Sequence, residues 1–374
     1  MLVVDIRNTK YQRNIEIIGS INNCIYYYEE RIKDDILYLT LFEYNIETNR
    51  ECIVMTYILS DKASVIHPIL LENIIYLVLE DGQGGIWIFK IDKERKIEVS
   101  RSKIECDGTY VKCQALDNRY LLISTKCVDN YDNNEFDLKY NFYLYDTESQ
   151  KLFLAKDSIF AGVDPLDIRI FKEDNVYNAL ILKRNLNLGS KAELEKSVLL
   201  VCSSVLVDNI RSRSEELFTR YVFEHGEKGS LEIVGEDTQN IYFIFKSILR
   251  SDIGLCSYNK KSECLKKIKN LKPLESKLNK YHISRYPFKI HVLSHNQESS
   301  RVEGVFNCSI NTEFSPRYGE FMDCIEDRFI ICKNVLLAPN NTQEEYITIY
   351  DNILKTEECF KARCFVFDQK LFLY

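Results

Sequence analysis

One string recurs along this chain. An apolar, alternating run ends in an aromatic residue, a side-chain amide, acid or lysine follows, and a short polar turn leads into a second run. The clearest copies are Leu41 to Arg50 (LFEYNIETNR), Ile86 to Lys96 (IWIFKIDKERK) and Tyr143 to Lys151 (YLYDTESQK). Weaker copies begin at Tyr258 (YNKKS) and Ile347 (ITIYDN), and two more lie near Val207-Asp208-Asn209 and Phe306-Asn307. Asn and Asp tolerate left-handed backbone and bond their own main chain, so each copy predicts a β-hairpin. Runs such as Cys24–Tyr28, Ile74–Leu79, Ile241–Phe245 and Arg328–Cys332 are short and rich in Ile, Val, Tyr and Phe, which suits strands rather than helices.

The anchors fall at 44, 89, 145, 207, 258, 306 and 350, on average about 51 residues apart. A four-stranded propeller blade takes about 40–50 residues. Tyr145-Asp146-Thr147-Glu148-Ser149-Gln150-Lys151-Leu152 resembles the hairpin between the third and fourth strands of kelch-like and WD40-like β-propeller repeats. The chain departs from kelch in having a single Gly-Gly doublet, Gly84-Gly85, and from WD40 in having no Trp-Asp or Gly-His signature. The expected fold is all-β: a single seven-bladed β-propeller over residues 1–374, with insertions near 185–230 and 270–285. The alternative is a set of β-sandwich domains. Closure is expected from Arg363–Phe367 and Lys370–Tyr374, pairing with strands near Leu2–Asp5 or Ile15–Ile18, because a closed ring removes sheet edges. In the longest unit, Ser212-Arg213-Ser214-Glu215 reads as a helix-capping box and Gly226 as a stop, with an outer blade strand as the other reading.

A charged fraction of 28% and 12% aromatics exclude a disordered chain. A net charge of −7 argues against a protein built to hold duplex nucleic acid. Three apolar residues followed by Asp5 do not make a signal-peptide core, and the densest apolar run, Val198–Val207, is about half of what a membrane helix needs. There are 13 cysteines, an odd number, with no CxxC pair; the closest two are Cys359 and Cys364. Zinc ribbons need close pairs, so the cysteines read as small core residues of a reducing compartment. The expectation is a cytoplasmic or nuclear protein with no membrane contact.

Each candidate chemistry meets a plainer reading. His291 and His295 lie in a strand-like run, where residues four apart stand about 13 Å apart and cannot share one ion. Asp81-Gly82-Gln83-Gly84-Gly85 lacks phosphate-loop spacing and leads into a strand, so it reads as a hairpin turn. Asp129, Asp132 and Asp137 lack EF-hand spacing. No Gly-x-Ser-x-Gly elbow occurs. No metal and no cofactor is expected.

The leading expectation is a non-catalytic protein-interaction scaffold, a subunit of a larger intracellular assembly with protein partners. The alternatives are a propeller-fold enzyme acting on glycans, with converging carboxylates and aromatics at one mouth of the channel, and an RNA-associated protein. The RNA reading rests on the segment 260–280, which holds eight Lys and two Glu. Phe314, Arg317 and Tyr318, in an expected connection, and Lys266, Lys267 and Lys269 are the candidate binding residues, since loops on a rigid scaffold concentrate binding.

Overall fold

The structure is a computed structural model. It describes residues 2–5, 15–60, 63–81, 85–129, 137–184, 196–214, 220–224, 229–237, 239–247, 253–271, 280–285, 288–295, 302–307, 313–314, 320–326, 328–337, 343–351, 353–354, 356–367 and 370–374. Two compact units form, Asn14–Gly226 and Met1–Arg13 with Glu227–Tyr374.

The chain starts with β1 (Leu2–Asp5). In the unit Asn14–Gly226, strands β2 to β5 span Ile15–Ile21, Cys24–Lys33, Ile36–Asn45 and Arg50–Ser60. Strands β6 to β9 span Ser64–Leu70, Ile74–Glu80, Ile86–Asp92 and Ile97–Ile104. Strands β10 to β13 span Thr109–Ala115, Tyr120–Asp129, Asp137–Asp146 and Lys151–Leu154. After a short helix α1 (Asp157–Phe160), β14 to β17 span Val163–Glu173, Val176–Arg184, Lys196–Cys202 and Arg220–Glu224, with helix α2 (Ser203–Arg211) between the last two. Each quartet is one antiparallel sheet with its strands in chain order.

The other unit repeats the plan. Its strands are β18 to β21 (Gly229–Glu236, Asn240–Ser247, Ile253–Asn259, Cys264–Leu271) and β22 to β25 (Lys280–Arg285, Phe288–His295, Val302–Asn307, Glu313–Phe314). They continue with β26 to β29 (Glu320–Ile325, Phe329–Leu337, Gln343–Asp351, Thr356–Lys361), β30 (Cys364–Phe367) and β31 (Lys370–Leu373). First strands pack on first strands, β2 on β6, β6 on β10 and β10 on β14, and likewise β18 on β22 and β22 on β26. Small meander sheets set side by side around their first strands are the blades of a β-propeller. The sandwich alternative requires strands exchanged between two facing sheets, and every four-stranded sheet here keeps four consecutive strands.

The core explains the apolar runs. In β7, Ile75, Leu77 and Leu79 join a cluster with Tyr26, Tyr28, Leu39 and Leu41 of the preceding sheet. Tyr76 and Val78 join a cluster with Cys113, Leu121, Ile123 and Tyr143 of the following sheet. Both faces of a middle strand are therefore covered, and alternation with polar residues disappears. Each such buried side chain contributes roughly 1.5–3 kcal/mol.

The recurring string is a four-residue corner. Asn45, Asp92, Asp146, Asn259 and Asp351 each end a third strand and accept a backbone N–H three residues on, from Thr48, Arg95, Ser149, Ser262 and Leu354. Four residues on, Asn49, Lys96, Gln150 and Glu263 take the left-handed backbone that closes the turn. The first turn residue then docks on the adjacent hairpin of its own sheet: Ile46 N–H donates to the Asn23 carbonyl, Thr147 to Arg119 and Lys260 to Gln239.

The expected ring of seven equivalent blades is corrected. The aromatic anchors 44, 89, 145, 258, 306 and 350 all lie in third strands; the corner is seen in five of these sheets, and the turn after Phe306-Asn307 lies outside the described residues. The seventh anchor, 207, lies inside α2. Val207-Asp208-Asn209 carries turn residues, but Leu206, Val207 and Ile210 share one helical face and bury it against the β10–β13 and β14–β17 sheets. After the expected capping box at Ser212, residues 215–219 lie outside the described residues; α2 ends at Arg211, and Arg220–Glu224 is the outer strand, as in the other reading. A further, three-stranded sheet has the order β1-β31-β30, with β1 parallel to β31. The closing segments thus choose Leu2–Asp5, while Ile15–Ile21 starts its own sheet. Cys364, Leu371 and Leu373 pack this sheet on Ile331, Ile347 and Ile349 of the β26–β29 sheet.

The twelve described cysteines are free thiols, five of them buried. Among the described residues, no helix is long and apolar enough to cross a membrane.

Candidate functional site

The two ends of each sheet differ. The described turns joining first to second strands lie at one end, together with the third-to-fourth corners at Asn45, Asp92, Asp146, Asn259 and Asp351, and these corners are short and tied. Arg119 there holds Asp146 through two bonds, Nε to Oδ1 at 2.8 Å and Nη2 to Oδ2 at 2.6 Å. Arg328 holds Asp351 in the same way. These guanidinium groups keep both carboxyls well below the usual carboxylate range, Asp146 also through Ser149 and its own turn amides. The longer connections, such as those over 130–136 and 185–195, leave from the other end.

Several first strands carry polar side chains that no corner explains, among them Glu16, His67 and Lys112. Their placement follows from a β-bulge, which recurs in β2, β6, β10, β14, β18 and β26. A bulge adds a residue to one strand and re-aims the side chains beside it. In β6 it precedes His67, and in β10 it precedes Lys112.

In the unit Asn14–Gly226 the result is a polar ribbon across four sheets. Glu16 of β2 lies across from Tyr28 of β3, with Glu30 two residues further on. The Glu30 carboxyl accepts the Val65 N–H of β6; burial chiefly, then the Glu16 charge, push its pKa up. Burial first, and the Lys112 charge second, hold His67 below its ordinary 6.5. The Lys112 ammonium donates to the carbonyls of Pro165 at 3.2 Å and Ile168 at 3.0 Å, and with the Gln114 amide oriented to bond Ile168 it also donates to Gln114 at 3.1 Å. Lys112 is therefore a strut that pins the wide bulge of β14 and lends its charge to His67. The ribbon offers a neutral imidazole and a carboxyl that gives up its proton late, a combination suited to moving protons. Among the described residues, no group of three or more His, Cys, Asp or Glu is placed to hold a metal.

A histidine whose folded pKa is depressed stabilises the fold fully above its unfolded value, about 6.5, and loses that contribution as pH falls through the folded value. An NMR titration of the His67 ring is expected to give a midpoint below 6.5; a midpoint at or above it contradicts the packing described.

The binding residues expected from sequence are not gathered. Phe314 ends β25 and Lys266, Lys267 and Lys269 lie in β21, the outer strands of two different sheets. Lys266 is exposed, and Arg317 and Tyr318 lie outside the described residues. Lys260, counted in the basic segment, belongs to a corner: its ammonium donates to the Asp237 carbonyl at 2.7 Å and pairs with Glu236 at 3.0 Å. His291 is in β23, paired with His282 in register, which bears out the strand reading. Asp81 and Gly85 bracket a hairpin, with Asp81 N–H donating to the Gly85 carbonyl at 3.0 Å. Asp132 and the rest of 130–136 lie outside the described residues. Sequence reading missed Glu16, Glu30, His67 and Lys112, because single polar residues within apolar strands look like solvent-facing positions.

The sequence matches no family model and no curated protein. Among solved structures the chain is similar to the β-propeller domain of the trilobed protease from Pyrococcus furiosus, with 14% identity over 90% of this chain and 92% of that one and a TM-score of 0.47. It is similar to the acylaminoacyl peptidase of Pyrococcus horikoshii, with 14% identity over 96% of this chain and 56% of that one, TM-score 0.47. An oligogalacturonate lyase gives 9% identity, 87% and 85% coverage and a TM-score of 0.42. The chain spans about half the length of the Pyrococcus horikoshii peptidase. At this identity the likeness concerns the fold. The expectation of a non-catalytic scaffold is corrected by these findings: the similar propellers belong to peptidases and a lyase.

Proposed function

We propose that this propeller works in an enzyme, as a propeller domain related to hydrolases, and that the polar ribbon of the unit Asn14–Gly226 holds and protonates a polar substrate. One observation carries the reading: Glu30, its proton held late by burial and by Glu16, stands on the same strand end as the neutral His67. In this role Glu30 donates a proton, His67 accepts one, and Lys112 positions both the histidine and the β14 bulge. The two carboxyls favour glycans as the substrate class, since glycoside cleavage uses a carboxylic acid and a carboxylate on either side of one bond.

The test is a panel of chromogenic oligosaccharides and peptides, assayed for turnover and for binding by calorimetry. Glu30→Gln is expected to lower turnover at least about 100-fold, the usual worth of a positioned acid, with the fold intact. His67→Ala is expected to act in the same direction. Native-like binding and turnover in both variants discard the ribbon as the site.

A further inference from the structure

The seam between the first two sheets holds a nucleophile that the proposed function does not use. Cys52 lies in β5, the outer strand of its sheet, opposite Glu43 of β4. Its thiol donates towards the Glu43 carboxylate, with Sγ to Oε1 at 3.6 Å. The Lys96 ammonium of the neighbouring sheet reaches the same sulfur, with Nζ to Sγ at 3.2 Å. Lys96 is the left-handed closing residue of its corner, with φ of 56°, so the turn geometry itself aims the side chain across the seam. Cys52 is half-buried and Lys96 exposed, so a small oxidant can reach both. Cys24, on the third position of the same face, meets the Asn45 amide instead, at 3.7 Å.

We propose that Cys52 and Lys96 form a modification site at which peroxide installs one oxygen between Sγ and Nζ. Glu43 takes the thiol proton. The thiolate attacks a first peroxide: an S–O bond forms, the O–O bond breaks, and a sulfenic acid and water result. A second peroxide replaces the sulfenic hydroxyl by a hydroperoxyl group and releases a second water. Lys96 gives one ammonium proton to solvent, and the resulting amine attacks the sulfur-bound oxygen. The N–O bond forms, the remaining O–O bond breaks, and hydroxide leaves with a proton from nitrogen as the third water. In sum, one thiol, one amine and two peroxides give one S–O–N link and three waters, with four electrons passed to peroxide. The link joins the outer strand of one sheet to the corner of the next, a cross-link that restricts the unfolded chain.

The experiment treats the full chain with hydrogen peroxide and maps its peptides by mass spectrometry, beside Cys52→Ser and Lys96→Arg. Both positions are at least partly exposed, and arginine keeps the charge while removing the nucleophilic amine. The expected product joins the Cys52 and Lys96 peptides, heavier than their sum by one oxygen and lighter by two hydrogens. It is absent from both variants and reversed by dithiothreitol, and native protein alone gains thermal stability on oxidation. The proposal falls if Cys52 stays reduced, if it becomes sulfinic or sulfonic acid with Lys96 unmodified, or if the bridge forms to Lys93.

Discussion

Truncating Leu206 to alanine is expected to lower stability by about 2–5 kcal/mol. Leu206 is fully buried and stands in one cluster with Val207 and Ile210 of α2, with Phe142 and Leu144 of the β10–β13 sheet, and with Ile181, Leu199 and Val201 of its own sheet. The helix replaces the corner that the other sheets use, and it has no side-chain cap at its N-terminus. Packing is then what holds it, and a cavity at Leu206 loosens two sheets at once. Asp208, on the exposed face of the same helix, is the control: its alanine variant should stay within about 0.5 kcal/mol of the parent. Chemical denaturation of the three proteins checks the pair. Equal stability of Leu206→Ala and Asp208→Ala would mean that α2 is not packed as described.

Replacing Asp146 by alanine is expected to cost about 2–4 kcal/mol, from the loss of charge-assisted bonds to Arg119 together with the turn contacts. The carboxylate is nearly sealed, at 3% exposure against 40% for Arg119, and it also accepts the N–H groups of Glu148 and Ser149 and the Ser149 hydroxyl. Arg119 keeps Glu148 as a partner at 2.8 Å, which holds the loss below that of a fully buried pair. The pH dependence has a definite sign. The folded pKa of Asp146 is depressed, first by Arg119, so its stabilisation is present above the unfolded carboxylate value of about 4 and is lost as pH falls towards the folded value. In acid the native protein and Asp146→Ala should therefore converge in stability. A constant gap between them down to acid pH would show that the ion pair is not the source.

Much of this architecture is written in short strings. Asn45, Asp92, Asp146, Asn259 and Asp351 announce corners because a side-chain oxygen three bonds from Cα caps its own turn, a local interaction that needs no partner from afar. The same signal misleads at Val207-Asp208-Asn209. There the residues suit a turn, while burial of Leu206, Val207 and Ile210 against a neighbouring sheet decides for a helix. After the capping-box string at Ser212 comes the strand Arg220–Glu224, and its ladder with β16 joins residues some twenty positions apart, which a local capping signal worth about 1 kcal/mol does not register. The site is a different matter. Glu30 and His67 are separated by 36 intervening residues along the chain, and nothing local to either shows that β3 and β6 bring them to one end. The bulges that re-aim His67 and Lys112 leave no composition signal, since they depend on how each first strand meets its partner.

By itself the sequence determined the strands, their turns and their grouping into small meander sheets, because period, turn chemistry and apolar runs act over a few residues. Tertiary structure alone decided which segment closes on β31, where a helix displaces a corner, and which polar side chains share one strand end. Those choices depend on burial and charge between residues far apart in the chain, and such energies exist only once the sheets have packed.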